Sequence, residues 1–178
     1  MDIIVYTDGS TLNNQHKGHR KGGVGVFFGD NDPRNKSIEL VESSSDKVTN
    51  QVSEIKACIV AIETIVESKN LSKLPNASHS QLEPFKSILI CSDSMYTINC
   101  ITKWCKTWEK KGWKKADGKT IENLELIQTL YKYSQTYNVK YKHVKGHSNE
   151  PSIDSPNYKD WYGNMMADKL ATNASKNI

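Results

Sequence analysis

The 178-residue sequence is poor in cysteine: it has four, with no C-x-x-C pair. Cys58, Cys91, Cys100 and Cys105 fall in apolar or helical stretches, which argues for reduced thiols and against a disulfide frame or a thiolate zinc site. No stretch approaches the roughly 20 apolar residues of a membrane span. The N-terminus lacks a basic and then hydrophobic leader, so the expectation is an intracellular chain, nuclear or cytoplasmic, or a domain whose targeting lies elsewhere. There is no large excess of one charge; a net +4 says little about partners. Internal repeats are missing, and so is a dinucleotide fingerprint. The stretch "GGVGVFFG" (22–29) lacks the G-x-G-x-x-G spacing and a following helix, and reads as a strand whose glycines permit close packing or a bulge. Without a secretory leader, the N-x-[ST] sequons at Asn35, Asn76 and Asn173 carry little weight.

What is present is the pattern of an α/β domain. Apolar residues make up 37% and charged residues 25%, ordinary for a globular chain long enough to bury a sizeable core. One domain over residues 1–178 is expected. Three strands come first, at 3–8, 23–28 and about 37–42, joined by short turn-rich connections that suggest antiparallel hairpins. Over 49–69, Ile55, Cys58, Ile59, Ile62, Ile65 and Val66 form one apolar stripe of a helix. A loop at 70–86 leads to a strand at 87–92 and a helix from Ser94 to about Lys103. A helix at about 121–135, a strand at 138–143, a polar loop at 148–159 and a helix from about Asp160 to Asn173 complete the chain. Strands first, then alternating helices and strands, predict a mixed sheet with helices packed on it.

Two apolar runs end in an acid. "IIVYTDGS" (3–10) reaches Asp8, where the next residue, a glycine, is expected to end the strand; "ILICSDS" (88–94) stops at Asp93. If these strands are parallel neighbours, about 4.8 Å apart, both carboxylates emerge at the sheet edge where open α/β folds place ligands. Carboxylates that close share a proton or a cation, and oxygen-only ligands favour Mg²⁺ or Mn²⁺ over zinc. Glu54, in the first turns of the 50–68 helix, and Asp168, among Met165, Met166, Ala167, Leu170 and Ala171, could join them. Each has a plainer reading: helix-dipole placement for Glu54, a helix-surface acid for Asp168.

"YTDGS", "TNQVSE", "CSDSMYTINCITKW", "HVKGHS" and "GNMMADKLA", in that order, resemble the type 1 ribonuclease H family over nearly the whole chain. The resemblance implies a five-stranded mixed sheet, three strands antiparallel and then two parallel, flanked by helices. It implies that Asp8, Glu54, Asp93 and Asp168 are metal-binding catalytic carboxylates holding two Mg²⁺ ions, with Mn²⁺ able to substitute. The implied activity is hydrolysis of the RNA strand of an RNA–DNA hybrid, leaving 5′-phosphate and 3′-hydroxyl ends, by a monomer. His147 becomes the loop histidine that helps proton transfer and product or metal release. Its plainer reading is an exposed loop histidine, and Gly146 and the strand context argue against a zinc pair with His143.

Hybrid recognition follows on the same footing. Asn14, Asn50 and Gln51 match positions that test for the 2′-hydroxyl, although a turn-former and a helix cap would use the same residues. Gly9, Ser10 and Met95 would line the RNA path. Lys47, Thr49 and Asn123 match the pocket for a DNA-strand phosphate, with Lys47 where vertebrate members carry arginine, so a weaker pocket is expected. Residues 103–119 hold seven lysines and three of the four tryptophans. Within them 104–117 would be a basic protrusion, with Tyr96, Trp104 and Trp108 as a DNA-strand channel; core packing is the preferred reading for Trp113. Stretches 70–86 and 149–161 are longer than in compact members. A non-catalytic hybrid-binding module, or another nuclease or integrase of the superfamily, remain as alternatives.

Overall fold

The computed structural model describes residues 2–12, 20–72 and 87–176. Five strands, β1 (Ile3–Leu12), β2 (Lys21–Phe27), β3 (Lys36–Val41), β4 (Ile88–Ser92) and β5 (Val139–His143), form one sheet in the order β3-β2-β1-β4-β5. The first three pair antiparallel, and β4 and β5 add parallel to β1, as expected. One boundary differs. The glycine after Asp8 does not end the first strand, because Gly9 through Leu12 continue to pair with β2 after β4 has stopped.

Helix α1 (Asn50–Ser72) buries Ile55, Cys58, Ile59, Ile62 and Ile65 against one face of the sheet, where Val5, Ile88 and Ile90 meet them. Helix α4 (Leu124–Thr136) adds Ile127, Leu130 and Tyr131 to the same layer. Between β4 and α4 the chain winds as one continuous rod of three parts. These are α2 (Met95–Asn99), a wider π-turn (Cys100–Trp104) and α3 (Cys105–Lys110). The rod is longer than the 94–103 helix expected, and α4 starts three residues later than expected, after Asn123 in a left-handed conformation (φ 57°). Trp113 packs edge-on to Tyr131 at 5.9 Å between centroids, as a core-facing residue. All four cysteines are buried and free. The expected loop 70–86 begins after α1 ends at Ser72, and most of it lies outside the described residues.

Helix α5 (Tyr158–Lys176) covers the opposite face. It presents Ala167, Ala171 and Ala174, all buried, and lies so near β2 that a Cβ on Gly23 or Gly25 would overlap the carbonyl oxygens of Ala171 or Ala167. Gly22, Gly23 and Gly25 of "GGVGVFFG" therefore serve close packing, and no bulge is needed. At Gly23 and Gly25 the obstructing atoms are backbone and cannot swing aside. Gly25→Ala should cost about 1–3 kcal/mol of folding free energy, seen as a lower midpoint in urea denaturation with an unchanged m-value.

Candidate active site

The parallel pairing of β1 with β4 ends where Thr7 sits beside Ser92. Asp8 and Asp93 are the next residues out, so they leave the sheet together. Beyond that rung β1 continues with β2 only, and the first turns of α1 lie across this extension on one face of the sheet. Thr49 caps this helix, its Oγ1 accepting from the Val52 N–H at 3.2 Å. Gly9 lets the helix approach, since a Cβ there would overlap the Glu54 amide. Glu54 thus reaches the strand ends from the α1 face, and oxygens of Asp8, Glu54 and Asp93 all come within 4.8 Å of one another. Asp168 arrives from α5 on the other face and shares a hydrogen bond with Asp8. It stands outside that three-carboxylate cluster, and its Oδ1 also accepts from Thr172 Oγ1 at 3.5 Å.

The cluster is electrostatically costly. Asp8 is 5% exposed. Burial, then the charges of Glu54 and Asp93, push its carboxyl far above the ordinary carboxylate range. Burial and the Asp93 charge raise Glu54 as well, against the opposing hydrogen bonds from Asp8 and from the Gly9 N–H. Among the described residues no lysine or arginine pairs with any of the four acids. Glu54 Oε2 is buried with no hydrogen-bond partner. An all-oxygen set with an orphaned carboxylate oxygen and no protein cation fits a hard divalent ion of the Mg²⁺ kind, and the lack of thiolate or imidazole in the cluster disfavours zinc.

Two neighbours support Asp93. Gly146 is pressed against it so closely that a Cβ would collide with the carboxylate. Asn164, 5% exposed, donates from Nδ2 to Asp93 Oδ2 at 3.5 Å and leaves its Oδ1 unpartnered. Neither residue is picked out by the sequence reading. The signal for Asn164 was its place four residues before Asp168, on the same helix face. His147 is exposed and holds a left-handed backbone (φ 47°) in the loop after β5. With Asn164, Met165 and Asp168 it lines a small pocket of about 100 Å³.

A separate open cleft of about 520 Å³ is lined by Lys47, Thr49, Gln51 and Asn123, so the three residues matched to the phosphate pocket are brought together. Sequence reading missed Arg20 there. Its side chain is 11% exposed, and its Nη1 lies 3.8 Å from Glu42 Oε1, placing a guanidinium beside Lys47. The Tyr96 phenol hydrogen-bonds with Asn123, which joins this cleft to an aromatic row. In that row Tyr96–Trp104 and Trp104–Trp108 centroids are each 5.9 Å apart. Lys103, Lys106, Lys110, Lys111, Lys114 and Lys115 are all exposed around it. Asn50 and Gln51 are exposed on the first turn of α1, with Thr49 rather than either of them capping the helix. Met95 is 43% exposed. Ser10 turns toward α5, where its hydroxyl meets that of Ser175 at 2.8 Å. Asn14 lies outside the described residues.

Comparison with known proteins agrees with this geometry. Ribonuclease H1 of Rattus norvegicus is 34% identical, the match covering 98% of this chain and 50% of that protein. Ribonuclease H of Schizosaccharomyces pombe is 35% identical over 94% of this chain and 51% of that protein. Ribonuclease H of Ruthia magnifica is 32% identical over 96% of this chain and 98% of its own length. The chain therefore spans about half the length of the rat and fission-yeast relatives and nearly all of the bacterial one. Among solved structures, LC9-RNase H1, described as a type 1 RNase H with the type 2 active-site motif, superposes with a TM-score of 0.66 at 26% identity. That match covers 98% of this chain and 72% of the other. The RNase H family model matches residues 1–176, and the chain belongs to the RNase H family.

Proposed function

We propose that this protein hydrolyses the RNA strand of RNA–DNA hybrids. The observation that carries the reading is the buried cluster of Asp8, Glu54 and Asp93, with an unpartnered Glu54 oxygen and no protein cation, at the open end of the parallel ladder. Asp8, Glu54, Asp93 and Asp168 would hold the divalent ions, two of them on the family resemblance. Mg²⁺, with Mn²⁺ as a substitute, supplies Lewis-acid stabilisation of charge on phosphate oxygens and acidifies water. The protein groups do the positioning. Gly146 and Asn164 fix Asp93, while the approach of α1 at Gly9 fixes Glu54. Water attacks the scissile phosphorus and the 3′ oxygen departs with a proton, leaving 5′-phosphate and 3′-hydroxyl ends. His147, exposed in the small pocket that Asp168 also lines, would carry a proton and assist release.

Hybrid selection belongs to the surfaces on either side. The Lys47 cleft would take a phosphate of the DNA strand, with Thr49 and Asn123 as donors and Lys47 as a point charge in place of an arginine fork. Tyr96, Trp104 and Trp108 give that strand a stacking surface. Asn50, Gln51, Gly9 and Met95 would meet the RNA strand and its 2′-hydroxyls, and the family resemblance implies the same for Ser10 and Asn14. Among the described residues no helix is long and apolar enough to cross a membrane. We read the protein as a monomer acting on nucleic acid alone.

The deciding assay compares an RNA–DNA hybrid with duplex DNA of the same sequence in Mg²⁺. Hybrid-only cleavage is expected. Binding without cleavage would favour a non-catalytic module, and cleavage of DNA another nuclease of the superfamily. Asp8→Asn should keep hybrid binding and lose about a thousandfold in cleavage rate, several kcal/mol of transition-state stabilisation.

The acid cluster also sets a pH dependence in the absence of divalent ions. Asp8 and Glu54 hold their protons to higher pH when folded than unfolded carboxyls do, so the native state binds more protons. Stability contributed by those protons is present below about pH 4 and is lost as pH rises through the neutral range. In EDTA the melting temperature should fall between pH 5 and 8, and Asp8→Asn should flatten that fall. Mg²⁺ should restore stability at pH 8 in the wild type only. Melting curves insensitive to Mg²⁺ at pH 8 would count against the metal assignment.

Binding to the hybrid through the lysine–tryptophan protrusion should weaken steeply between 50 and 200 mM salt. Trp104→Ala should lower affinity by about 1–3 kcal/mol with little change in that slope, since it removes stacking and no charge. Titration of hybrid affinity against salt for the two proteins checks both.

A further inference from the structure

A cleft of about 400 Å³ opens on the β5 side of the carboxylates, between the end of β5 and the segment leading into α5. It is continuous with the acid site. Lys145, Ser148 and Trp161 line both this cleft and the small pocket that holds His147, Asn164 and Asp168. The strip of chain between them is pinned down, because the Trp161 indole N–H donates to the Ser148 carbonyl at 3.0 Å.

The cleft is built for an anion. Asp160 is the one acid among its described lining residues, and it is already satisfied: Oδ2 accepts from Lys142 Nζ at 2.5 Å and Oδ1 from the Tyr6 hydroxyl at 3.0 Å. That leaves the Lys145 ammonium, which is exposed and has no ion-pair partner among the described residues. Beside it stand the His143 imidazole and the Asn149 side-chain amide, both exposed. None of these groups is needed by the carboxylates, and the Lys47 cleft lies on the other side of them, at the start of α1.

We propose that this cleft seats a backbone phosphate of the RNA strand, beyond the bond being cut. Lys145 is its charge partner, and His143 and Asn149 are hydrogen-bond donors. The inference rests on the hybrid-hydrolase reading. A strand whose scissile phosphate lies over Asp8, Glu54 and Asp93 meets the Lys145–Ser148 strip on its way out toward β5. A phosphate held there fixes register without reading sequence. It therefore sets which bond is presented to the acids and how much RNA must extend past it.

The test is equilibrium binding of labelled hybrids in EDTA, where nothing is cut, across a salt series. Relative to wild type, Lys145→Ala should bind a long hybrid about 3- to 10-fold more weakly, with a salt slope shallower by about one, and Lys145→Arg should restore both. The RNA is then shortened stepwise from one end or the other with the DNA strand kept whole. In one of the two series the difference between wild type and Lys145→Ala should vanish once the contacted phosphate is gone. The double variant His143→Ala/Asn149→Ala, which leaves Lys145 in place, should lose its deficit at the same length. An unchanged salt slope, or a deficit that persists whichever end is trimmed, overturns the assignment while hybrid cleavage by the wild type in Mg²⁺ still stands. Failure of the wild type to bind or cleave hybrids overturns the underlying reading as well.

Discussion

The ladder between β1 and β4 stops at Thr7 and Ser92, and the site depends on where it stops. Past that rung Asp8 and Asp93 leave the sheet side by side, no longer tied by pairing between their strands. Because β1 continues alone with β2, its outer residues stay rigid while one flank stays open. Glu54 comes onto that end from the α1 face, and Asp168 reaches the same point from the opposite face. Strand length, not loop structure, thus assembles the acids, which holds them to the precision of a sheet.

That assembly is an expense the rest of the fold must offset. Like charges placed in a buried gap destabilise the protein until a cation or a proton neutralises them. The compensation is visible in the packing on each face. The isoleucine-rich layer of α1 and α4 is fully buried on one side. On the other, the alanine side of α5 is laid almost backbone to backbone against the β2 glycines. Tight packing resists relaxation of the strand ends, so the acids cannot drift apart to relieve their repulsion. The site is destabilised locally and the scaffold over-determined, a common division of labour in enzymes.

Much of this was legible in the sequence because the signals were periodic. The α1 stripe from Ile55 to Val66 and the two apolar runs ending at Asp8 and Asp93 follow directly from helix and strand geometry. Local pattern could not show that β1 outlasts its partner, because Gly9 looks like a terminator while acting as the space into which α1 fits. Arg20 and Asn164 were missed for a related reason. Each matters through a neighbour distant in sequence, Lys47 in one case and Asp93 in the other, and nothing in the flanking residues announces it. The convergence of Glu54 and Asp168 on Asp8 was likewise reached through the family resemblance rather than through spacing.

The π-turn at Cys100–Trp104 has its own consequence. Each residue of an ordinary helix advances the side-chain direction by roughly 100°, so the wider turn re-phases everything after it. Trp104 meets Tyr96, and Trp108 meets Trp104, in the phase that this extra backbone unit sets. The alignment of the aromatic row is therefore stored as a count of residues. Cys100 and Ile101 anchor the turn in the core, and a single deletion within it would rotate Trp104 and Trp108 out of line with Tyr96, whatever side chain was lost.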